Sequence, residues 1–519
     1  MTTRLSRRTA VLQLGAALAS PLLGRLARSA ESPAHAGPAF EIGTQTRLFL
    51  DDRVIADAAN LERVLHPAVK ANDGQPIRFW QRDAQGNRVP MPASIYASPL
   101  YDAERDVFRM WSRVYPGVTK LESLIGSEIH NHMRLGYSES PDGIDFELVS
   151  ELHGLHSLGD YNSVVTLDEH ETDPEHRYKI GYDGAHAGEV NGACLAHSAD
   201  GIHWTPYNDG KPVTHRAADF TNCLVWDDAK QAYLLYTRTD FGSAGGASEN
   251  RGMRVMSNAD FKANPANWTI LREWTLDREG PDEFRRRQLY AMTDWQRHGL
   301  HFGLFSIYEW PHDFSEGLDS DHVRRHERDV LNFYLGTSHD GIDWNLEWIY
   351  AGRPLIERGG GGAWDKDLLL PANWIVTRGD EHWIYYGGAN ERHGTGGEFE
   401  PRRSWGVGLA KLPLDRFVSL SAGSEPGTLL TVPFELQGDS LEINLDAANG
   451  EVAIDVLSGA GQPLDGFAGE HAAVARGVDD VRWRHHWNGG DLRKLRGQQV
   501  RLQFRLTNAE LYSLRVVDR

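Results

Sequence analysis

Residues Val500-Arg501-Leu502-Gln503-Phe504-Arg505-Leu506 alternate apolar and polar one by one, the period of a β-strand with one buried face. Leu441 to Leu445 and Val452 to Val456 carry the same period, so several strands fall within the last hundred or so residues. Earlier in the chain the strands are of another kind. Apolar runs close on a turn at Ser163 to Asp168, Cys223 to Asp227 and Leu289 to Asp294. Each is followed by a second run rich in aromatic or β-forming residues, as at Arg177 to Ile180, Tyr233 to Tyr236 and Leu300 to Gly303. Phe108 to Trp111 and Trp383 to Tyr386 belong to the same series.

A turn phrase repeats within this region. Ser140-Pro141-Asp142-Gly143-Ile144-Asp145-Phe146 returns as Ser198-Ala199-Asp200-Gly201-Ile202-His203-Trp204 and as Ser338-His339-Asp340-Gly341-Ile342-Asp343-Trp344. Asp-Gly is a hairpin-turn signal in which glycine supplies the positive φ. The following aromatic packs the outer strand onto its neighbour. A degenerate copy, Ser257 to Phe261 leading to Trp268, fills the gap between the second and third copies. A fifth unit runs from about Asp365 to Phe417. Repeating units of three or four short strands predict a β-propeller. The predicted class is all-β: a five-bladed β-propeller over 40–419, then a small C-terminal β-sandwich over 420–519. The early strand Leu48 to Ile55 is expected to close the ring by joining the last blade.

Composition narrows the functions. Asp plus Glu number 73 against 54 Lys plus Arg, a net charge of −19, which argues against a nucleic-acid binder with a basic face. Hydrophobic residues are 40%, so a polytopic membrane protein is excluded. The two cysteines cannot build a disulfide framework. Residues 1–36 form a separate object: Arg7-Arg8 precede an apolar stretch from Ala10 to Leu23 and a cleavage-like Ala34-His35-Ala36. This is similar to a twin-arginine export signal and implies an exported, periplasmic or extracellular protein with no membrane span. The aromatic content, 16 Trp, 17 Tyr and 18 Phe, suits a protein that handles sugars.

With its repeated turns and blade strands, the region from about 40 to 420 resembles the five-bladed propeller glycosidases, which include invertase-, arabinanase- and mannoside-phosphorylase-like families. The whole chain is similar to bacterial secreted proteins labelled as glycoside hydrolase family 32 N-terminal-domain-like. The resemblance implies hydrolysis of a poly- or oligosaccharide by paired carboxylates in the propeller funnel. The chain departs from the family at blade one, where Met91-Pro92-Ala93-Ser94-Ile95-Tyr96 stands in place of an acidic motif. The alternatives are a non-catalytic carbohydrate-binding propeller and a glycoside phosphorylase, for which Arg285, Arg286 and Arg287 would provide an anion pocket.

Glycosidic cleavage needs two carboxyl groups across the scissile bond, and in a propeller the starts of the innermost strands face the funnel. Asp160, Asp219 and Asp365 are the expected funnel carboxylates, with Glu283 the best candidate acid. Glu309, between Tyr308 and Trp310, is a second candidate. Asn162, Asn222, Arg287 and Asp52 are expected to meet sugar hydroxyls. Tyr161, Trp310 and Trp364 are expected to stack on sugar faces. No motif asks for a cofactor, and no metal ligands are assigned.

Overall fold

The computed structural model describes residues 43–121, 131–155, 158–184, 192–214, 221–241, 250–281, 283–309, 329–392, 405–487 and 489–518, with the backbone alone at 95, 158–161 and 240. The architecture is mostly β-sheet. Five strand groups follow one another. The first spans Arg78–Arg82 to Asp145–Glu151, and its hairpins run antiparallel except that Asp145–Glu151 lies parallel to Arg78–Arg82. The second runs from Leu158–Leu167 to Thr205–Pro206, and the third from Cys223–Asp227 to Thr269–Trp274. The fourth begins with Arg287–Arg297 and ends with Trp344–Asn345, next to a short helix at Glu347–Tyr350. The fifth contains Leu368–Arg378, Glu381–Ala389 and Trp405–Pro413. A single pair, Leu331 with Leu368, joins the fourth and fifth groups into one eight-stranded sheet.

The repeated turn explains how neighbouring groups dock. In each copy the serine hydroxyl accepts from the glycine N–H, and the aspartate accepts from the next two backbone N–H groups. These bonds fix a rigid knuckle. Its glycine carbonyl then accepts from an aromatic side chain of another group. Tyr385 of group five donates to Gly143 at 2.8 Å, Trp111 of group one to Gly201 at 2.6 Å, and Tyr236 of group three to Gly341 at 2.9 Å. A Cβ at Gly201 would lie 2.6 Å from the Trp111 ring, so the contact itself selects glycine.

The first strands of the groups are linked by further bonds. Ser98 Oγ accepts from the Val165 N–H, Thr166 donates to Leu224 O, Thr221 to Met292 O and Thr293 to Ala372 O. Asn373 Nδ2 donates to Val165 O at 2.7 Å, connecting group five to group two. Buried polar side chains at these positions are satisfied by a neighbour's backbone, as burial demands.

Two more sheets take strands from both sides of the five groups. One orders Glu62–Leu65, Val418–Ala422, Ala509–Val517, Ser440–Asp446 and Asp479–Arg484, with Arg47–Leu48 on Ala509–Val517. The other orders Ile55–Ala59, Gly427–Thr431, Gln499–Thr507, Glu451–Ser458 and Ala473–Arg476, with Phe434–Glu435 on Gln499–Thr507. This corrects the expectation for the early strand. Leu48 to Ile55 does not join group five; that edge is taken by Val69–Lys70. The reason is apolar burial: Phe49, Val54 and Leu61 enter one hydrophobic cluster with Leu429, Ile443, Leu445, Phe504 and Leu511.

Candidate functional site

The segment ahead of the fourth group positions the first carboxylate. One 3₁₀ turn, Glu283–Arg285, leads into the strand Arg287–Arg297 and leaves Glu283 only 5% exposed. Glu283 Oε2 accepts from the Glu279 N–H at 2.7 Å, and Oε1 lies 3.5 Å from Arg287 Nε. Burial pushes the Glu283 carboxyl above the usual carboxylate range, and the Glu279 N–H and the Arg287 charge offset this only in part.

Arg287 stands opposite Glu309 in the hairpin register, because Glu309 ends the partner strand Leu300–Glu309. Glu309 Oε2 accepts from Asn332 Nδ2 and, at 2.7 Å, from the Tyr334 hydroxyl. Burial, followed by the Glu309 charge, raises the Tyr334 phenol well above its ordinary value and keeps it a donor. Asn332 Oδ1 in turn accepts from Arg358 Nε at 2.8 Å, and Arg358 also donates to Lys366 O. Burial and then the nearby Arg392 charge lower the Arg358 pKa. Asp367, 3% exposed, pairs with Lys366 and with Arg392 Nε at 3.0 Å. Two sets of charged contacts thus lie near the start of the fourth and fifth groups: Arg287 with Glu283 and Glu279, and Glu309 with Asn332, Arg358, Lys366, Asp367 and Arg392.

Aromatic side chains gather at the same strand ends. Tyr96, Tyr290 and Tyr308 share a hydrophobic cluster with Leu331, Leu368 and Leu370, which draws on groups one, four and five. The Arg251 guanidinium lies over both the Tyr290 and Tyr308 rings at 5.2 Å, and Arg113 lies 5.4 Å from the Tyr96 ring centroid. Asn162 accepts from Arg113, and its backbone N–H donates to the buried Asp183 at 3.1 Å. Cationic, anionic and aromatic groups from separate strand groups therefore meet here. This is the mixture that binds a polar ligand with an apolar face.

Of the residues singled out in the sequence, Glu283 and Arg287 pair with each other, Glu309 stands opposite Arg287 in the strand register, and Asn162 lies against Arg113. Asp365 has another setting. It is 1% exposed and accepts from Lys70 Nζ at 2.6 Å and from the Tyr386 hydroxyl at 2.9 Å, fastening the edge strand Val69–Lys70. Trp364 stacks on Tyr386 with centroids 5.9 Å apart and donates to Gly74 O at 2.7 Å, so its ring is spent on packing. Asn222 is fully buried and accepts from Thr237 Oγ1 at 2.8 Å, within the third group. Asp52 is exposed and pairs with Arg63 at 2.6 Å, beside the two sheets shared by the chain's flanking segments. The side chains of Asp160 and Tyr161, and all of Asp219 and Trp310, lie outside the described residues.

Sequence reasoning missed Asn332, Arg358, Asp367, Arg113 and Arg251. Asp367 stood in the same acidic phrase as Asp365. The others carry no motif and are recruited by strand pairing. The buried histidine–aspartate pairs lie at the other ends of the strands. His301 Nδ1 is 2.7 Å from Asp294 Oδ2, and Asp415 gathers Arg297, His298 and His382.

No family model matches the chain, and no curated protein matches it. Among solved structures it is similar to one described as a glycoside hydrolase, at 11% identity and a TM-score of 0.41, covering 66% of this chain and 92% of that one. It is also similar to an N-acetylgalactosamine deacetylase from F. plautii in complex with blood group B trisaccharide, at 14% identity and a TM-score of 0.40, covering 69% and 97%. A third is a structure from the GH130 family of mannoside phosphorylases containing glycoside hydrolases, at 12% identity and a TM-score of 0.39, covering 67% and 94%.

Proposed function

We propose that the chain is an exported glycoside hydrolase whose five strand groups are the blades of a β-propeller and whose two remaining sheets form a β-sandwich. The order of docking supports the ring: group one leans on group five, group two on group one, and group four on group three, each through the same turn. The observation that carries the function is the buried Glu283 carboxyl, its pKa raised by burial, beside Arg287 and on the strand hairpin that also carries Glu309. A carboxyl whose pKa is raised, set near others that accept hydrogen bonds, is the pattern that separates the roles of acid and base. Glu283 is the proton donor to the departing oxygen. Asp160 or Asp219 supplies the opposing carboxylate as base or nucleophile. Arg113, Arg251 and the tyrosine rings hold the sugar.

The test begins with the mature protein on a panel of aryl glycosides and polysaccharides. On a substrate that is cleaved, Glu283→Gln should lower turnover of poor leaving groups by about 10²–10⁴-fold and spare activated aryl glycosides. Asp160→Asn should abolish both. Full activity in both variants overturns the assignment. Sugar binding without turnover anywhere on the panel favours a carbohydrate-binding protein. Export is tested separately: lysine at both Arg7 and Arg8 should leave precursor in the cytoplasm, and normal export would refute it.

A further inference from the structure

A cavity of about 490 Å³ opens where the first strands of groups two to five end, away from Glu283 and Glu309. Along the strand Arg287–Arg297, Tyr290 and Gln296 are six residues apart, so the two places are separated by about 20 Å. Thr166 and Asp168 come from group two, Trp226 and Asp228 from group three, Gln296 from group four and Trp374 from group five. The walls are fixed in advance. Thr166 donates to Leu224 O at 3.0 Å and Gln296 to Trp226 O at 2.8 Å. Trp226 is held on one face by His170, stacked at 3.8 Å and 7°, and its indole N–H donates to Asp228 at 2.7 Å.

The charge of this cavity is one-sided. Lys179 is the one lysine or arginine among the described lining residues, and it is 1% exposed. Its ammonium is already engaged by Asp168 at 2.7 Å, by Glu171 at 3.3 Å and by the His176 carbonyl at 2.8 Å. Asp168 takes the Tyr233 hydroxyl as well, at 2.7 Å. Glu169 and Asp228 are exposed at the rim and carry no ion pair among the described residues. Two exposed carboxylates, with no ion pair among the described residues, thus line a cavity that also presents the half-buried Trp374 indole. Negative charge beside an indole attracts an organic cation, repels an anion and gives a neutral sugar no charge to use. The volume suits a small molecule.

We infer that this cavity is a second ligand site, specific for a small organic ammonium ion held between the Glu169 and Asp228 carboxylates and the Trp374 ring. The probe is choline, compared with its neutral carbon isostere dimethylbutanol and with glucose, by calorimetry and tryptophan fluorescence on the full chain. Choline should bind and both neutral compounds should not. The double variant Glu169→Gln with Asp228→Asn should weaken choline by about tenfold or more at an unchanged unfolding temperature. If the double variant is unstable, Glu169→Gln alone carries the test, since that side chain is exposed and has no ion pair among the described residues. Trp374→Phe should weaken choline less than removal of both charges. Glu283→Gln should bind choline like the unaltered protein, which separates this site from the catalytic proposal. Equal binding of dimethylbutanol, unchanged affinity in the carboxylate variants, preference for glucose, or binding of calcium in place of choline would each overturn it.

Discussion

Trp111 and Gly201 form a joint between two strand groups: the indole N–H donates to the glycine carbonyl at 2.6 Å, and the ring fills the space that a Cβ would need. Gly201 also sits at φ +78°, where an L side chain is strained. Gly201→Ala should therefore destabilise the protein by about 2–4 kcal/mol, combining left-handed strain with overpacking. Trp111→Phe keeps part of the packing and loses the hydrogen bond. Urea unfolding of both variants checks this, and a Gly201→Ala protein as stable as the original would refute the joint.

Asp365 and Lys70 offer a test of structure against catalysis. Lys70→Met leaves a buried carboxylate with the Tyr386 hydroxyl as its remaining described partner, and should cost about 3 kcal/mol. Asp365→Asn should lower stability and retain turnover per folded molecule. Loss of turnover in a well-folded Asp365→Asn protein would return this residue to the catalytic set.

Glu171 gives a pH dependence. Burial pushes its carboxyl up, but the Lys262 ammonium, the Asp173 N–H and Lys179 more than reverse this and hold it at about 2, below its ordinary 4.5. A carboxyl depressed in the folded state contributes stability that is complete above its unfolded pKa and is lost as pH falls through the folded one. The stability difference between the original protein and Glu171→Gln should therefore shrink as pH falls from 4.5 toward 2. Chemical denaturation at several pH values measures it, and a difference that grows on acidification would contradict the pairing.

Ending the chain at Ser419 should not release an independent folded piece. Glu62–Leu65 pairs with Val418–Ala422, and Ile55–Ala59 with Gly427–Thr431. Buried Arg416 also donates to Asn444 Oδ1 at 2.9 Å and to Leu445 O at 3.0 Å. The shortened chain should aggregate, because Val54 and Leu61 lose their cover. Removing residues 43–66 as well should restore solubility, measured by gel filtration.

What the sequence revealed follows the range of each interaction. The serine, aspartate and glycine of each repeated turn bond within a few residues, so the phrase and the strands beside it were legible. Glu283 and Glu309 were legible as carboxylates near strand ends. The pairing of Asp365 with Lys70 was not, because Lys70 lies far away in sequence and is delivered by an edge strand. The Arg358 contact with Asn332 likewise depends on a loop crossing to the neighbouring strand. The early strand was misplaced because its short apolar pattern fits either sheet, and only the wider cluster around Phe49 and Leu61 decides between them.

The pairing of Leu65 with Val418 has a consequence for synthesis. The earlier strands must wait for partners made several hundred residues later, since Leu61 packs in the cluster that contains Leu506 and Leu511. At about 5–20 residues per second the ribosome needs on the order of 20–90 seconds to deliver those partners. Throughout that interval the leading strands are apolar and unpaired, exposed to any chaperone that holds nascent chains. The two flanking segments then meet like the halves of a buckle, so the later one secures the earlier.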